Sequence, residues 1–252
     1  MDLARQYQLQ NKWRNWEAFI DKLPLKSKDI ILDLGCGLGF TTRLISRKVN
    51  YVFGLDNNPE LINYAKHHNS AGNIQYIKQD IRSLDTAKLP LSDGIWLSYV
   101  TAYFPDLSEV LHHWIKFLKT GGWIALTEIT DLFGHEPLDK EIRKIINRYY
   151  LRQTANSTYD FEMGKKLKGY LINLGLSVFH EEERGDPELS FKGPASEEIL
   201  RSWKFRFERM YKFKQYLGEN SFLDFKQKFL ECLSDDDHIS IAKVKFIIAV
   251  KK

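Results

Sequence analysis

Asp29-Ile30-Ile31-Leu32-Asp33-Leu34-Gly35-Cys36-Gly37-Leu38-Gly39-Phe40 is the stretch on which the fold turns. Its first half is a short apolar run, the pattern of a parallel strand buried on both faces. Its second half sets glycine at alternate positions, and Phe40, Leu44 and Ile45 then mark one face of a helix. Glycines belong between a strand and a helix for backbone reasons. A tight turn there needs positive φ, and a ligand reaches the main chain only where no Cβ intervenes. The helix N-terminus behind the loop adds free N–H groups. Two phosphate-binding patterns are excluded. A dinucleotide fingerprint counted from Gly35 wants glycine where Phe40 stands, and no Gly-Lys-Ser/Thr follows for a P-loop.

The alternation continues outward. Tyr51-Val52-Phe53-Gly54-Leu55 is a second strand ending at Asp56, and Pro59 opens the next helix where a missing N–H is harmless. Ile74 to Ile77 is a third strand running towards Asp80. Ile95 to Tyr99 is a fourth, followed by a helix from about Leu107 with Asp106 and Glu109 set as a capping box. Gly121-Gly122 ends that helix, and Trp123 to Ile129 is the fifth strand. Leu176 to Glu182 and Val244 to Val250 supply two more. Amphipathic helices marked by Leu138 to Tyr149 and Met163 to Leu174 precede the sixth strand. Two further helices fall between the last two strands, one carrying Ile199, Trp203, Phe207 and Met210, the other Phe222, Phe225, Phe229 and Leu233. Upstream, Trp13, Trp16, Ile20 and Leu23 at helical spacing predict an N-terminal helix.

Strands separated by helices predict an α/β fold: a doubly wound, mostly parallel seven-stranded sheet, with a helical lid inserted between the last two strands. Three segments result. Residues 1–24 are an N-terminal helix laid over the ligand site, 25–132 the ligand-binding core, and 133–252 the lid helices with the last two strands.

Composition narrows the function. A net charge of +4, from 37 Lys+Arg against 33 Asp+Glu, is too mild to indicate nucleic acid by itself. Only Cys36 and Cys232 are present, so there is neither a disulfide framework nor a four-cysteine zinc site. No metal is expected, since Asp235-Asp236-Asp237 reads as a solvated turn and the adjacent His112 and His113 cannot face one ion. The polar N-terminus lacks a signal-peptide core, and no apolar run approaches the ~20 residues that cross a bilayer. A cytoplasmic protein without a membrane span is the expectation. The 16 Phe, 12 Tyr and 6 Trp suit an aromatic core better than an aromatic-lined pocket.

Carboxylates at the strand ends give the loop its meaning. Asp56 stands 17 positions beyond Gly39, at the same carboxyl edge of the sheet, where an acid accepts both hydrogen bonds of a ribose diol. Asp80 ends the third strand in the equivalent place, with Ile81 beside it to flank a purine ring. Asp33, just before the loop, is placed to hold an amino group directly or through water. The ligand so described has an amine, a ribose and a purine, and needs no phosphate. Read blandly, the three acids would be strand-end caps and the glycines turns.

At these residues the chain resembles the class I S-adenosylmethionine methyltransferases, within the broad group of the ubiquinone- and menaquinone-biosynthesis enzymes. The matching stretches are Ile30 to Phe40, Val52 to Asn57, Ile74 to Ile81 and Asp93 to Tyr99, and the likeness covers about residues 25 to 130. The resemblance implies S-adenosylmethionine as cofactor and S-adenosylhomocysteine as product. It implies that Asp33 and the loop residues Gly35, Cys36, Gly37 and Gly39 meet the methionine end. Asp56, next to Asn57, then takes the ribose, Asp80 with Ile81 the adenine, and Ser98 lines the site near the methyl group.

Methyl transfer from a sulfonium is an in-line displacement in which orientation does much of the work, and a base is needed only when the acceptor loses a proton. Residues just past strands four and five therefore matter: Tyr99, Thr101, Tyr103, Glu128, Asp131 and His135, of which Glu128 could hold an amine substrate or equally cap a helix. Tyr103 and His135 are the catalytic candidates, His135 as a general base because its ordinary pKa suits neutral pH. An exposed loop histidine is the plainer reading of His135. No Asn/Asp-Pro-Pro-aromatic run follows the fourth strand, and neither cysteine stands beyond strands four or five. Base-amine methylation of nucleic acid and cysteine-mediated pyrimidine methylation are thereby disfavoured.

A small-molecule acceptor is the leading expectation. The alternative is an RNA (tRNA) methyltransferase using a single basic helix over residues 201–214, where Arg201, Lys204, Arg206, Arg209, Lys212 and Lys214 interleave with aromatic residues. On the plainer account those cations are solvated and the helix packs its apolar stripe inward. A third possibility is a non-catalytic S-adenosylmethionine-binding protein. The acceptor, the atom methylated and the oligomeric state are not written in the sequence.

Overall fold

Two features of residues 30–34 make them a central strand: every side chain is apolar except Asp33, and both neighbours in the sheet are also apolar runs. The computed structural model describes residues 3–85 and 88–252, so the first two residues of the predicted N-terminal segment lie outside it. In chain order the described elements begin α1 (Leu3–Asn11), α2 (Trp16–Ile20), β1 (Ile30–Leu34), α3 (Phe40–Ser46), β2 (Tyr51–Asp56) and α4 (Pro59–His68). They continue β3 (Ile74–Lys78), β4 (Ser92–Ser98), α5 (Leu107–Trp114), β5 (Leu118–Ile129), β6 (His135–Glu136), α6 (Lys140–Ala155) and α7 (Met163–Asn173). The last are β7 (Ser177–Arg184), α8 (Glu197–Arg209), α9 (Tyr211–Leu217), α10 (Glu219–Leu233), β8 (Ile239–Ser240) and β9 (Val244–Val250).

The seven-stranded sheet has the order β3-β2-β1-β4-β5-β9-β7. β1 to β5 run parallel, and β9 runs antiparallel between β5 and β7. The order reverses at β1, whose neighbours are β2 and β4, which opens a crevice at the carboxyl ends of those strands. The register sets Asp33 beside Gly54 and Leu34 beside Leu55, so the glycine loop and Asp56 emerge at one edge.

Strand alternation feeds two cores. Ile31, Val52, Trp96, Ala125 and Ile248 point to one face, and Leu32, Leu34, Leu55, Ile95 and Leu97 to the other. α5 and α7 cover the second face. The first face is covered by α2, by α6 and by the helices that follow β7, packed around Phe133. The Phe133 ring lies 5.2 Å from Phe229, 5.7 Å from Phe225 and 5.8 Å from Phe213, centroid to centroid. The high aromatic content is therefore core, worth about 2 kcal/mol or more for each fully buried ring.

Five details depart from the sequence reading. Gly121-Gly122 does not end the helix after β4: α5 stops at Trp114, and the two glycines lie inside β5. Three helices, not two, lie between β7 and β9. The basic segment is not one helix, because it breaks at Met210. On a continuous helix Phe207 and Phe213 would point about 120° apart, yet both are buried in the same aromatic core. The break turns Phe213 inward. The N-terminal helix is likewise two helices, with Asn15 capping the second by accepting from the Ala18 N–H at 3.2 Å. A two-stranded sheet, β6 with β8, was not foreseen. No helix among the described residues is long and apolar enough to cross a membrane.

Candidate functional site

The loop after β1 takes its shape from three left-handed glycines, Gly35 (φ 76°), Gly37 (φ 53°) and Gly39 (φ 75°). At Gly39 a Cβ would stand 2.3 Å from the Tyr76 hydroxyl oxygen, so only glycine lets α3 start against β3. At Gly37 nothing lies within 4 Å of that position, and the main chain faces open space. The space is a cavity of about 700 Å³ over the carboxyl ends of β1, β2 and β4, within the usual size of a ligand site. A shallow cleft of about 120 Å³ on the outer side of α1 and α8 touches no strand.

At one end the cavity is walled by Gly35, Cys36, Gly37, Asp56, Asn57 and Ile81. Asp56 accepts hydrogen bonds from the Gly37 N–H through Oδ2 and from the Asn58 N–H through Oδ1, both at 2.9 Å. Burial raises its pKa against those two bonds and that of Asn57. Asp80 also lines the wall, capping the 3-10 turn Ile81–Ser83 and pairing with Arg82 (Nη2 to Oδ2, 2.6 Å). That hydrogen bond and the Arg82 charge hold its carboxyl below the usual range. The Cys36 thiol is pushed well up, first by burial and then by Asp33 and Asp56, so it stays neutral.

Asp33 and Gly39 are not on the cavity wall. Asp33 lies beneath the loop, where its Oδ2 accepts from the hydroxyls of Thr42 at 2.6 Å and Thr41 at 3.1 Å. Burial raises its pKa to about 7. Its visible task is to tie the end of β1 to the first turn of α3.

Ser98 and Tyr99 close β4 against the cavity. Tyr99 is one of two non-glycine residues with positive φ (54°) among the described residues, a strained conformation fixed from outside. Its N–H donates to the Thr127 carbonyl at 2.8 Å, and its ring meets Trp16 edge-on at 6.0 Å. The Tyr99 hydroxyl is buried and has no hydrogen-bond partner among the described residues.

Past β4 and β5 the wall consists of Tyr7, Tyr103, Glu128, Tyr159, Arg206 and Arg209. Tyr103 is there as expected, half its surface exposed, edge-on to Tyr159 at 5.0 Å. His135 is not. It is fully buried, stacked on His238 and packed edge-on to Trp203 and Phe229, and it does not line the cavity. Burial, then the neighbouring His238, lowers its pKa to about 3. Buried off the cavity wall, it is not the exposed loop residue that its type suggested, and its place does not suit the expected general base. The carboxyl on this part of the cavity wall is Glu128, raised by burial to about 7. Its Oε2 accepts from Thr101 Oγ1 at 3.1 Å and the Ala102 N–H at 3.2 Å, and its Oε1 from its neighbour's N–H, Ile129, at 3.0 Å.

Sequence reasoning missed a buried ion network beside this end. Arg14 forks onto Asp186 at 2.8 and 2.9 Å and reaches Glu188 at 2.5 Å. Arg206 meets Glu188 at 2.9 Å, and Ser202 donates to the same oxygen at 2.5 Å. Burial works against the Glu188 charge, but Arg206 and Arg14 outweigh it and hold the carboxyl at about 2. No local signal joins Arg14 to residues 172 and 174 positions away.

Comparison with known proteins places this geometry. The family described as "Methyltransferase domain" matches residues 25–192, and the chain belongs to it. The sterol 24-C-methyltransferase of Saccharomyces cerevisiae is 28% identical over 170 residues, covering 66% of this chain and 43% of that protein. The demethylmenaquinone methyltransferase of Lactobacillus johnsonii is 30% identical over 126 residues, 47% of this chain and 50% of that one. The chain thus spans about half the length of the curated relatives it matches. Among solved structures, an S-adenosylmethionine-dependent methyltransferase from Mesorhizobium loti superimposes with a TM-score of 0.56 at 18% identity, covering 94% of this chain and 97% of that one. That likeness speaks to the fold alone. The cofactor of the family is S-adenosylmethionine, and the residues present fit it: an open face over Gly37, a half-buried acid at the end of β2 and Tyr99 share one cavity.

Proposed function

We propose that this chain transfers the methyl group of S-adenosylmethionine to a small-molecule acceptor bound at the β4–β5 end of the cavity. The observation that carries the reading is continuity. One cavity runs from the glycine loop and Asp56, past Tyr99, to Tyr103 and Glu128. In it Asp56 would take the ribose diol, Ile81 would flank the adenine with Asp80 beside it, and Gly37 would let the donor's backbone-facing side approach. The acceptor's lone pair then forms a bond to the methyl carbon as the carbon–sulfur bond breaks, and its electrons return sulfur to a neutral thioether. When the reacting atom carries hydrogen, the proton needs a taker. Glu128, held near neutrality on the wall, is the residue we assign to that role in place of His135.

α1 covers the cavity through Leu3, Tyr7, Gln10 and Asn11, an arrangement that suits a small ligand enclosed from water. Arg206 and Arg209 also turn into the cavity, which leaves fewer cations outside for a nucleic acid. The test is transfer of label from methyl-labelled S-adenosylmethionine. Incubated with a size-filtered metabolite extract or with total tRNA, the protein should label only the former. Asp56→Ala should abolish S-adenosylhomocysteine binding in calorimetry while the melting transition persists. Label in tRNA, or binding unchanged by Asp56→Ala, would overturn the proposal.

A further inference from the structure

The acceptor end holds one more cation than it has carboxylates to answer. Three guanidinium groups line this end of the cavity, Arg14, Arg206 and Arg209, while a fourth, Arg82, pairs with Asp80 at the other end. Arg14 is met by Asp186 and Glu188, and Arg206 shares Glu188. Arg209 has no carboxylate within 4.0 Å among the described residues. Its partners are neutral. Nη1 donates to Gln6 Oε1 at 2.8 Å, and the guanidinium lies over the Tyr7 ring at 5.3 Å. With the Gln10 amide turned to suit its surroundings, its oxygen accepts from Arg209 Nη2 at 3.0 Å and Arg206 Nη2 at 3.2 Å. Arg206 Nε is buried with no hydrogen-bond partner among the described residues. Glu128 shares the wall but forms no ion pair with either arginine among the described residues, its oxygens accepting from Thr101, Ala102 and Ile129.

Burial and the neighbouring Arg206 lower the Arg209 pKa, the mark of a charge held without its counter-ion. Arg206 and Arg209 stand three apart on the last turn of α8, so their planar forks share a side, a geometry matched to carboxylate or phosphate oxygens. The geometry points to an acidic acceptor: a small molecule whose carboxylate or phosphate is gripped between Arg206 and Arg209 while its reacting atom faces the methyl group. The inference rests on the methyltransferase reading above. Position argues for the acceptor rather than the donor. Arg209 sits among Tyr7, Tyr103 and Arg206, off the ends of β4 and β5, whereas the acids Asp56 and Asp80 end β2 and β3 on the other side.

The experiment compares the full chain with Arg209→Gln, Arg209→Lys and, as a control on the outer side of the same helix, Lys204→Gln. Sulfate is the anion probe, set against chloride at equal ionic strength. It should raise the melting temperature of the wild type and Lys204→Gln, and not that of Arg209→Gln; Arg209→Lys should keep part of the rise. S-adenosylhomocysteine affinity should stay within about twofold throughout, because the donor does not use this pair. Label transferred from S-adenosylmethionine should appear in the anion-exchange-retained pool of the metabolite extract, and fall about tenfold or more in Arg209→Gln, the loss of one charged hydrogen bond. A sulfate effect absent from the wild type or unchanged in Arg209→Gln overturns the inference, as does label confined to neutral or cationic products. A tenfold or larger fall in S-adenosylhomocysteine affinity with 5′-methylthioadenosine unaffected assigns the pair to the donor's own carboxylate, and also overturns it. Failure of the wild type to bind S-adenosylhomocysteine would instead sink the methyltransferase reading, and the sulfate comparison would still be decided separately.

Discussion

Glu128 and His135 exchange the roles that their chemistry suggests in isolation. Burial drives the carboxyl up to about 7 and the imidazole down to about 3. The sequence names both residues but not the burial, which for His135 comes from Trp203, Phe229 and His238, far along the chain. The consequence for stability has a definite sign. Between the unfolded value of 4.5 and the folded value of about 7, folded Glu128 keeps a proton that the unfolded chain has released. Stability from this group is therefore lost as pH rises through that window, at up to about 1.4 kcal/mol per unit. His135 acts oppositely: between about 3 and 6.5 only the unfolded chain binds its proton, so stability rises with pH there. Against that background the wild type should lose stability relative to Glu128→Gln as pH goes from 5 to 8 in urea unfolding. A pH-independent difference would contradict the buried carboxyl. Gly39 gives a second residue-level prediction. Gly39→Ala sets a Cβ 2.3 Å from a Tyr76 hydroxyl that is pinned by donating to the carbonyls of Gly39 and Asn69. It also forces alanine to φ 75°. A loss of about 2 kcal/mol or more is expected from chemical denaturation.

At the scale of elements, periodicity is legible where one face of a segment meets one core. β1 is a short apolar run buried on both sides, β2 is mostly buried beside it, and the edge strand β3 buries Tyr76; all three lie where the sequence puts them, with Asp56 and Asp80 at or just past the ends of β2 and β3. The apolar stripe fails over residues 201–214, because Phe207 and Phe213 serve the same cluster from two helices. It also fails for α1, which has no apolar stripe to see: its only buried residue is Gln6. That helix is held by polar contacts at both sides, Gln8 to the Tyr64 hydroxyl of α4 and Gln6 to Arg209 of α8. An element with so little buried apolar surface opens at low free energy. In the free protein, α1 amides should exchange in hydrogen–deuterium experiments about tenfold or more faster than those of α3, and S-adenosylhomocysteine should slow them, since Tyr7, Gln10 and Asn11 wall its cavity. Equal protection with and without ligand would show that α1 does not cover the donor.

For the whole molecule, the division into N-terminal helix, core and lid that the sequence suggests meets a core that crosses its boundaries. One hydrophobic cluster runs from Trp16 and Phe19 of α2, through Ile31, Trp96 and Phe246 of the sheet, to Phe133 and on to Phe207, Phe213, Phe225 and Phe229 of the cap. Phe19 meets Phe246 edge-on at 5.0 Å, and the Phe133 ring, fully buried, lies between the sheet and α8–α10. The Arg14 network adds a second tie, joining the segment between α1 and α2 to the residues after β7. A cap bound in this way has no surface of its own to hide when detached, so opening it exposes the same rings whose burial holds the sheet. The cap and the sheet should therefore unfold together. Calorimetry should give one transition, with van't Hoff and calorimetric enthalpies equal. Phe133→Ala should lower stability by about 3–5 kcal/mol, because it empties the centre of seven ring contacts at once. It should also shift the single transition intact and leave no early step behind. A separate low-temperature transition that takes α8–α10 while the parallel strands persist would show that the cap is a domain with its own stability.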